Sequence, residues 1–405
     1  MTSTASPEPV TDDVPFLDIA DPNFDFNSSA VASAQAKSWY AESPVGPVVL
    51  RYAEGQELLR DPRLGHGGTR LIDMQGITEG PVYDWYVSMI VTFDGEEHRR
   101  LRSLVTKAFT VRMINDLRPF IRAQAERLTD HIESVDVCEF VDDFGNPLPL
   151  AAMCQLLGVP GEDYATFKNW TMDIGLVLSF AHGGDVPARV EAAVVGLYDY
   201  VGALMDRKSA EPGNDLISAL LAAQRDEGRV SRDEVLNLIV TLMFAAHDAT
   251  RHQLANAMVT FSQHPDQWRL LGRRPELAAQ AVEEVMRWSP SARTVLRWAE
   301  EDFDYHGLHI TKGETVIVMT PATHRDPRAY RNPDSFDITV PRQTPPLQFG
   351  GGPHTCLGAA LARAELGEAL LVLARRLGPP SIAGPVTWRP PIGIYGPEML
   401  PLRFG

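Results

Sequence analysis

The sequence is poor in cysteine: Cys138, Cys154 and Cys356 are the three it has among 405 residues. A sparse, odd count excludes a disulfide scaffold and fits a reducing compartment. Long hydrophobic runs are missing as well. The longest nearly apolar stretch, Leu236 to Ala246, falls well short of the roughly 20 residues a bilayer-spanning helix needs, so no membrane association is expected. Met1 to Pro15 has neither a basic n-region nor an apolar core, so it does not read as a signal peptide, and the expected location is cytoplasmic. Positive charge is in deficit, with 37 Lys and Arg against 53 Asp and Glu and a formal net charge of −16. A nucleic-acid binder usually carries a basic surface, so nucleic acid is not an expected partner. Internal repeats and low-complexity tracts are absent. Apolar residues at 44% and charged residues at 22% sit near the soluble globular average, which excludes wholesale disorder.

What is present is mostly helix. Residues 1–15, rich in Ser, Thr, Pro and Asp, read as a loose lead-in, and residues 16–405 as one domain. Ser231-Arg232-Asp233-Glu234 is a capping box, and no Gly or Pro interrupts the chain from there to Pro265. The spacing predicts a helix over 232–263, roughly 48 Å long at about 1.5 Å per residue. Its middle, Leu238 to Ala246, is apolar almost all round and is expected to be buried on every side. Leu277, Ala281, Val285 and Trp288 recur at helical spacing until Pro290 stops the pattern. Strand-like runs come late, at Thr294-Val295-Leu296 and Thr315-Val316-Ile317-Val318, with Lys312-Gly313 as a turn. Residues 320–355 lack periodicity, and another helix is expected over 357–377. The fold class is mainly α with small β-sheets attached.

The most informative segment runs from Phe349 to Gly358. Its glycines allow a backbone to approach a partner closely. Cys356 lies at a helix start, where the positive dipole end favours a thiolate. No second Cys or His follows at zinc-ligand spacing. The segment resembles the haem-binding loop of the cytochrome P450 superfamily, Phe-Gly-x-Gly-x-His-x-Cys-x-Gly, with every fixed position met by Phe349, Gly350, Gly352, His354, Cys356 and Gly358. The resemblance implies a long central helix over a haem b (iron protoporphyrin IX), O2 as cosubstrate, and Cys356 as the thiolate ligand of the iron. Glu284-Val285-Met286-Arg287 resembles the family's Glu-x-x-Arg, a buried structural ion pair, and Phe336 and Arg342 resemble its later Phe and Arg. His98 and Arg102, four apart on one helix face, together with Arg297 and His354, resemble the residues that hold the haem propionates.

Ala245-Ala246-His247-Asp248-Ala249-Thr250 resembles the family's oxygen-activation motif, Ala-Gly-x-Asp/Glu-Thr-Thr, with departures at Ala246 and Ala249. Asp248 keeps the acid and favours O2 over peroxide as oxidant. Ala249 replaces the usual proton-relaying alcohol, and Thr250 keeps a hydroxyl one residue on, turned about 100° around the helix. The relay is then left to Asp248, Thr250, a water, or a hydroxyl of the substrate. Tyr83, Trp85, Leu242, Ala245, Ala246, Val295 and Ile394 are expected to line the substrate pocket, with residues 66–93 and 166–196, including Trp170 and Phe180, closing over it. The expected guest is small and apolar or aromatic. The chain shows no flavin or nicotinamide domain, so electrons are expected from a ferredoxin and its NAD(P)H-dependent reductase. The basic excess of Arg99, Arg100, Arg102, Lys107, Arg112 and Arg118 against Asp116 is the expected docking face. The protein is expected to be a monomeric, bacterial-type monooxygenase of secondary metabolism that hydroxylates or epoxidises its substrate. The alternatives are a haem-containing binding or recruitment protein without turnover, and a peroxide-driven peroxygenase.

Overall fold

A computed structural model describes residues 14–179, 185–228, 230–390 and 393–405. Most of the expected lead-in lies outside these residues. Where it enters them the chain is already tied down: Pro15 O accepts from Glu42 N at 2.8 Å, and Phe16 bridges Glu42.

The expected central helix is present at Arg232–Gln263. Its capping box forms on both sides: Glu234 N donates to Ser231 Oγ at 3.2 Å and Ser231 N to Glu234 Oε2 at 2.6 Å. Its burial departs from expectation. In the apolar middle, Leu242, Ala245 and Ala246 are not sealed, because they face an internal cavity instead of a neighbouring helix. The most enclosed part is the more polar run that follows. Arg251, His252, Gln253 and Asn256 are all buried there, and each is bonded, Gln253 to Ser289 O at 2.9 Å and Asn256 to Tyr395 O at 3.0 Å among them. Paired polar groups are compatible with burial, so polarity alone is a poor guide to which stretch is enclosed.

The helix Ala359–Arg376 packs along Val111–Glu133 and lies beside the central helix. The largest core cluster wraps these helices. The strands are short and few, as expected. The longest pairing is antiparallel, Thr294–Ala299 with Thr315–Met319, with Thr294 opposite Met319 and Trp298 opposite Thr315. It belongs to a five-stranded sheet, and the C-terminal Pro401–Phe404 sits in the middle of a three-stranded one. The expected turn at Lys312-Gly313 forms, with Gly313 at φ +87°. Residues 320–355 hold only brief helical turns at Thr320–Thr323, Leu347–Phe349 and Gly352–His354. The fold therefore places the cysteine loop on one side of a cavity and the central helix on the other.

Candidate active site

The cysteine loop is closed on itself by Cys356 N donating to Phe349 O at 2.8 Å. Gly350 and Gly352 bend it at φ +70° and +64°, a region that L side chains rarely adopt. A Cβ at Gly352 would also lie 3.0 Å from Leu59 O. One at Gly358 would lie 3.9 Å from Cys356 Sγ, so glycine there leaves the approach to the sulfur open. Cys356 faces a cavity of about 400 Å³, and Leu242, Ala245, Ala246, Ala249 and Thr250 line it from the central helix. Phe349 is fixed beneath the guanidinium of Arg363, 4.6 Å from the ring centroid, and Arg363 in turn pairs with Glu283. The thiol differs from expectation. Burial pushes Cys356 up, and the amides of Gly358 and Ala359 with Arg102 and Arg363 only partly oppose it. The helix start alone does not make a thiolate here; a soft cation at the sulfur is what would complete it.

Of the four residues expected around the propionates, three share the cavity, and Arg297 is buried behind the cysteine loop, bonded to Gly351 O. His98, Arg102 and His354 line the same cavity, and Arg102 Nη2 donates to Thr355 O at 2.5 Å. The rings of His98 and His354 lie 4.2 Å apart, and His354 Nε2 meets Asp94 Oδ1 at 2.6 Å. Burial, with His354 and Arg102 nearby, pushes His98 down to about 4, so it is a neutral donor near pH 7. Arg102 and Arg297 are left to carry positive charge. Arg297 is 4% exposed and bonded only to carbonyls, those of Leu296 at 2.8 Å and Gly351 at 3.4 Å. Burial pushes it down to about 10, with Asp94 the acid that opposes the shift. A buried cation without a bonded carboxylate is placed to receive an anion the chain does not supply. His66 joins this group unforeseen. Its ring is 5.3 Å from that of His354, and its Nδ1 is buried without a partner. No sequence pattern around His66 marks it.

The central helix places one expected residue away from the cavity. Asp248 does not line the cavity. It is clamped by Arg389 at 2.6 Å and Arg251 at 3.0 Å, with His252 at 3.7 Å. Burial would push its carboxyl up, but Arg389 and Arg251 outweigh it and hold it well below the usual carboxylate range. A carboxylate so held is a poor proton carrier. The decisive partner, Arg389, is 141 residues away, which is why the motif could not reveal it. With this, the argument from Asp248 for O2 over peroxide falls. Ala249 and Thr250 do line the cavity.

A second acid, missed from sequence, does reach the cavity. Glu365 also lines the cavity, is 1% exposed, and neither carboxyl oxygen has a partner in hydrogen-bonding geometry. Burial pushes it well above the ordinary carboxylate range, and the nearby Thr250 hydroxyl only partly opposes this. Glu365 is thus biased toward its protonated form. A signal was available: it follows Leu361 and Ala362 at helical spacing, on a face that the structure turns to the cavity.

Glu284 and Arg287 form the expected buried pair, 0% and 1% exposed, joined by two bonds of 2.8 Å. Arg342 adds bonds of 2.7 and 2.9 Å to the same carboxylate. Arg287 also donates to the carbonyls of His324, Pro333 and Ser335, so it pins the irregular stretch before the cysteine loop.

Of the expected pocket residues, Leu242, Ala245, Ala246 and Ile394 line the cavity. Tyr83 and Val295 do not; both pack against core clusters. Trp85 borders a separate surface cleft with Tyr198 and Asn237, and its ring packs on Phe244. From 66–93 only Met89, Ile90 and Val91 reach the cavity, and no described residue of 166–196 does, Trp170 included. Trp170 packs instead on Phe167 and Tyr200, and Phe180 lies outside the described residues. Aromatic residues served here as core, their commoner use.

Comparison with known proteins agrees with this geometry. The cytochrome P450 family profile matches residues 267–377. Luteothin monooxygenase of Streptomyces thioluteus is 47% identical over 406 residues, covering 100% of both chains. Mycinamicin IV hydroxylase/epoxidase of Micromonospora griseorubida is 36% identical over 363 residues, 88% of each chain. The solved structure of CalO2 superposes with a TM-score of 0.86 at 30% identity, covering 94% of this chain and 98% of that one. The chain belongs to the cytochrome P450 family and is a P450 monooxygenase. Its residues fit the family's haem: a thiol opposite open space, two arginines for anionic groups, and, among the described residues, no His, Cys, Asp and Glu cluster that would hold a bare metal instead. No described helix is long and apolar enough to cross a membrane.

Proposed function

We propose that this P450 monooxygenase inserts oxygen from O2 into a small, apolar organic substrate by hydroxylation or epoxidation, with haem b as its cofactor. The observation that carries the reading is Cys356 facing the central helix across an apolar cavity of about 400 Å³. The full-length likeness to luteothin monooxygenase supports a substrate from bacterial secondary metabolism. Haem held at Cys356 supplies the oxygen-activating chemistry. Arg102 and Arg297 balance its propionates, with His98 and His354 as hydrogen-bond donors. Leu242, Ala245, Ala246, Ile90 and Ile394 exclude water and hold the substrate by apolar contact. The protonated carboxyl of Glu365 gives its proton to the Thr250 hydroxyl, which passes it into the cavity beside Ala249. Asp248 stays ionised and fixes Arg251 and Arg389.

Electrons come from a ferredoxin and its NAD(P)H-dependent reductase. The basic stretch is smaller than its sequence count, since Arg100 pairs with Glu234 and Arg118 with Glu368. Arg99 and Lys107 remain exposed beside a surface hollow that Arg102 and Pro353 also border, and this is the docking face we assign. Residues 16–405 act as one domain, and the protein works as a cytoplasmic monomer. The test is a carbon monoxide spectrum of the reduced holoprotein, then product formation with ferredoxin, reductase and NAD(P)H. Thiolate-type absorbance with NAD(P)H-dependent product supports the reading. Haem binding without turnover on any guest that shifts the spectrum makes it a binding protein, and turnover with peroxide alone makes it a peroxygenase.

Glu365→Gln tests the proton path. Product formation is expected to fall by about 10²-fold or more, the usual weight of a positioned acid. Stability should change in the opposite sense, and with pH. A carboxyl whose folded pKa is raised stabilises the fold fully below its unfolded value, near 4.5, and this is lost as pH rises toward the folded value. The melting-temperature gain of Glu365→Gln over the parent should therefore grow from about pH 4 to pH 8. An equal gain at both ends would mean that Glu365 is not held neutral.

A further inference from the structure

A threonine hydroxyl inside a helix normally returns to the carbonyl one turn back. Thr106, Thr129, Thr171 and Thr260 do so here, donating to Arg102, Ala125, Phe167 and Asn256 carbonyls at 2.9, 2.7, 3.0 and 2.8 Å. Thr241 does not. It is 6% exposed, it lines the cavity, and its Oγ1 has no hydrogen-bond partner. An unpaired buried hydroxyl is unfavourable, so one kept on a cavity wall is suited to a partner that arrives from outside.

The surroundings define that partner. Ile90, Val91, Leu156, Leu157, Leu242 and Ala245 make the cavity wall apolar. Of the other polar groups on the central helix that line the cavity, Gln253 bonds Ser289 O and Ser291 N at 2.9 Å each, and Thr250 lies near the Glu365 carboxyl. Thr241 is therefore the open polar point on an oily face. Thr241, Ala245 and Ala249 follow at successive turns, about 6 Å apart along the helix axis.

We propose that Thr241 is the polar anchor of the substrate, donating a hydrogen bond to a carbonyl or ether oxygen on an otherwise apolar molecule. That oxygen lies one to two helical turns, roughly 6 to 12 Å, from the carbon that is oxidised near Ala249. The substrate is thus elongated, with an acceptor at one end and the reacting carbon toward the other. This assignment rests on the monooxygenase reading of the same cavity.

Two probes of matched shape test it: 4-(4-acetylphenyl)imidazole and 4-(4-isopropenylphenyl)imidazole. In each the imidazole nitrogen ligates haem iron, and the tail ends in a C=O or in a C=CH2. Dissociation constants come from optical titration of holoprotein, for the parent, Thr241→Val and Thr241→Ser. The preference for ketone over alkene is expected to be about 5- to 10-fold greater in the parent and in Thr241→Ser than in Thr241→Val. Affinity for the alkene should be the same in all three. An equal preference in the parent and Thr241→Val overturns the anchor alone. A parent holoprotein that gives no azole shift with either probe overturns the reading of this cavity as the substrate space over the iron, and the anchor with it.

Discussion

Cys356→Ser is expected to reduce NAD(P)H-dependent product to background and to remove the thiolate-type absorbance of the reduced, carbon monoxide-treated protein. The change is nearly isosteric, and Cys356 faces the cavity, so the apoprotein should melt close to the parent. What changes is the donor. Sulfur is soft and electron-rich and pushes charge toward iron, whereas a serine hydroxyl is hard and stays protonated. Arg102, Arg297 and His354 remain, so some haem is expected to be retained with an altered spectrum. Ordinary turnover in this variant would remove the central assignment. The size of the effect follows from the loop, which brings no other sulfur to the cavity.

The second large effect falls on folding. Glu284→Ala leaves Arg287 and Arg342 buried with no carboxylate between them, and about 3 to 5 kcal/mol of stability should be lost. Arg287→Ala is expected to cost less through charge, because Arg342 still pairs with Glu284. It also releases the carbonyls of His324, Pro333 and Ser335, and with them the approach to the cysteine loop. Both variants should accumulate with less haem per chain, and denaturant unfolding with a haem assay measures both effects. The pH dependence has a definite sign. Burial would raise Glu284, but hydrogen bonds from Arg287 and Arg342 outweigh it and hold the carboxyl below its ordinary range. Its contribution is present above the ordinary carboxylate value and is lost as pH falls through the depressed one. The parent should therefore lose more stability than Glu284→Gln on acidification below about pH 4.5. Unchanged haem content and melting in Glu284→Ala would show that the pair bears no weight.

Several features were open to the sequence because they depend on near neighbours. The capping box at Ser231 and Glu234, the unbroken helix to Gln263, the i,i+3 spacing of Glu284 and Arg287, and the ordered string from Phe349 to Gly358 are all written in adjacent residues. Backbone geometry then fixes what such spacings do. For this reason Cys356, Arg102 and the small alanines Ala245, Ala246 and Ala249, all singled out from sequence, do face the cavity.

Tertiary structure decided which polar groups near the cavity have a partner from distant chain, and local patterns do not hold that information. Asp248 and Glu365 are both acids near the cavity. Arg389 reaches Asp248 from a distant strand region and holds it charged, while packing leaves Glu365 without a cation and holds it neutral. Thr241 reads as an ordinary helix residue until the fold opens one side of the central helix. Trp85, Trp170 and Val295 read as pocket residues until the fold packs them against other elements, away from the cavity. Local spacing determines which face a side chain occupies. What meets that face depends on chain brought from far away, and burial and pairing together set the charge, the hydrogen bonding and hence the chemistry.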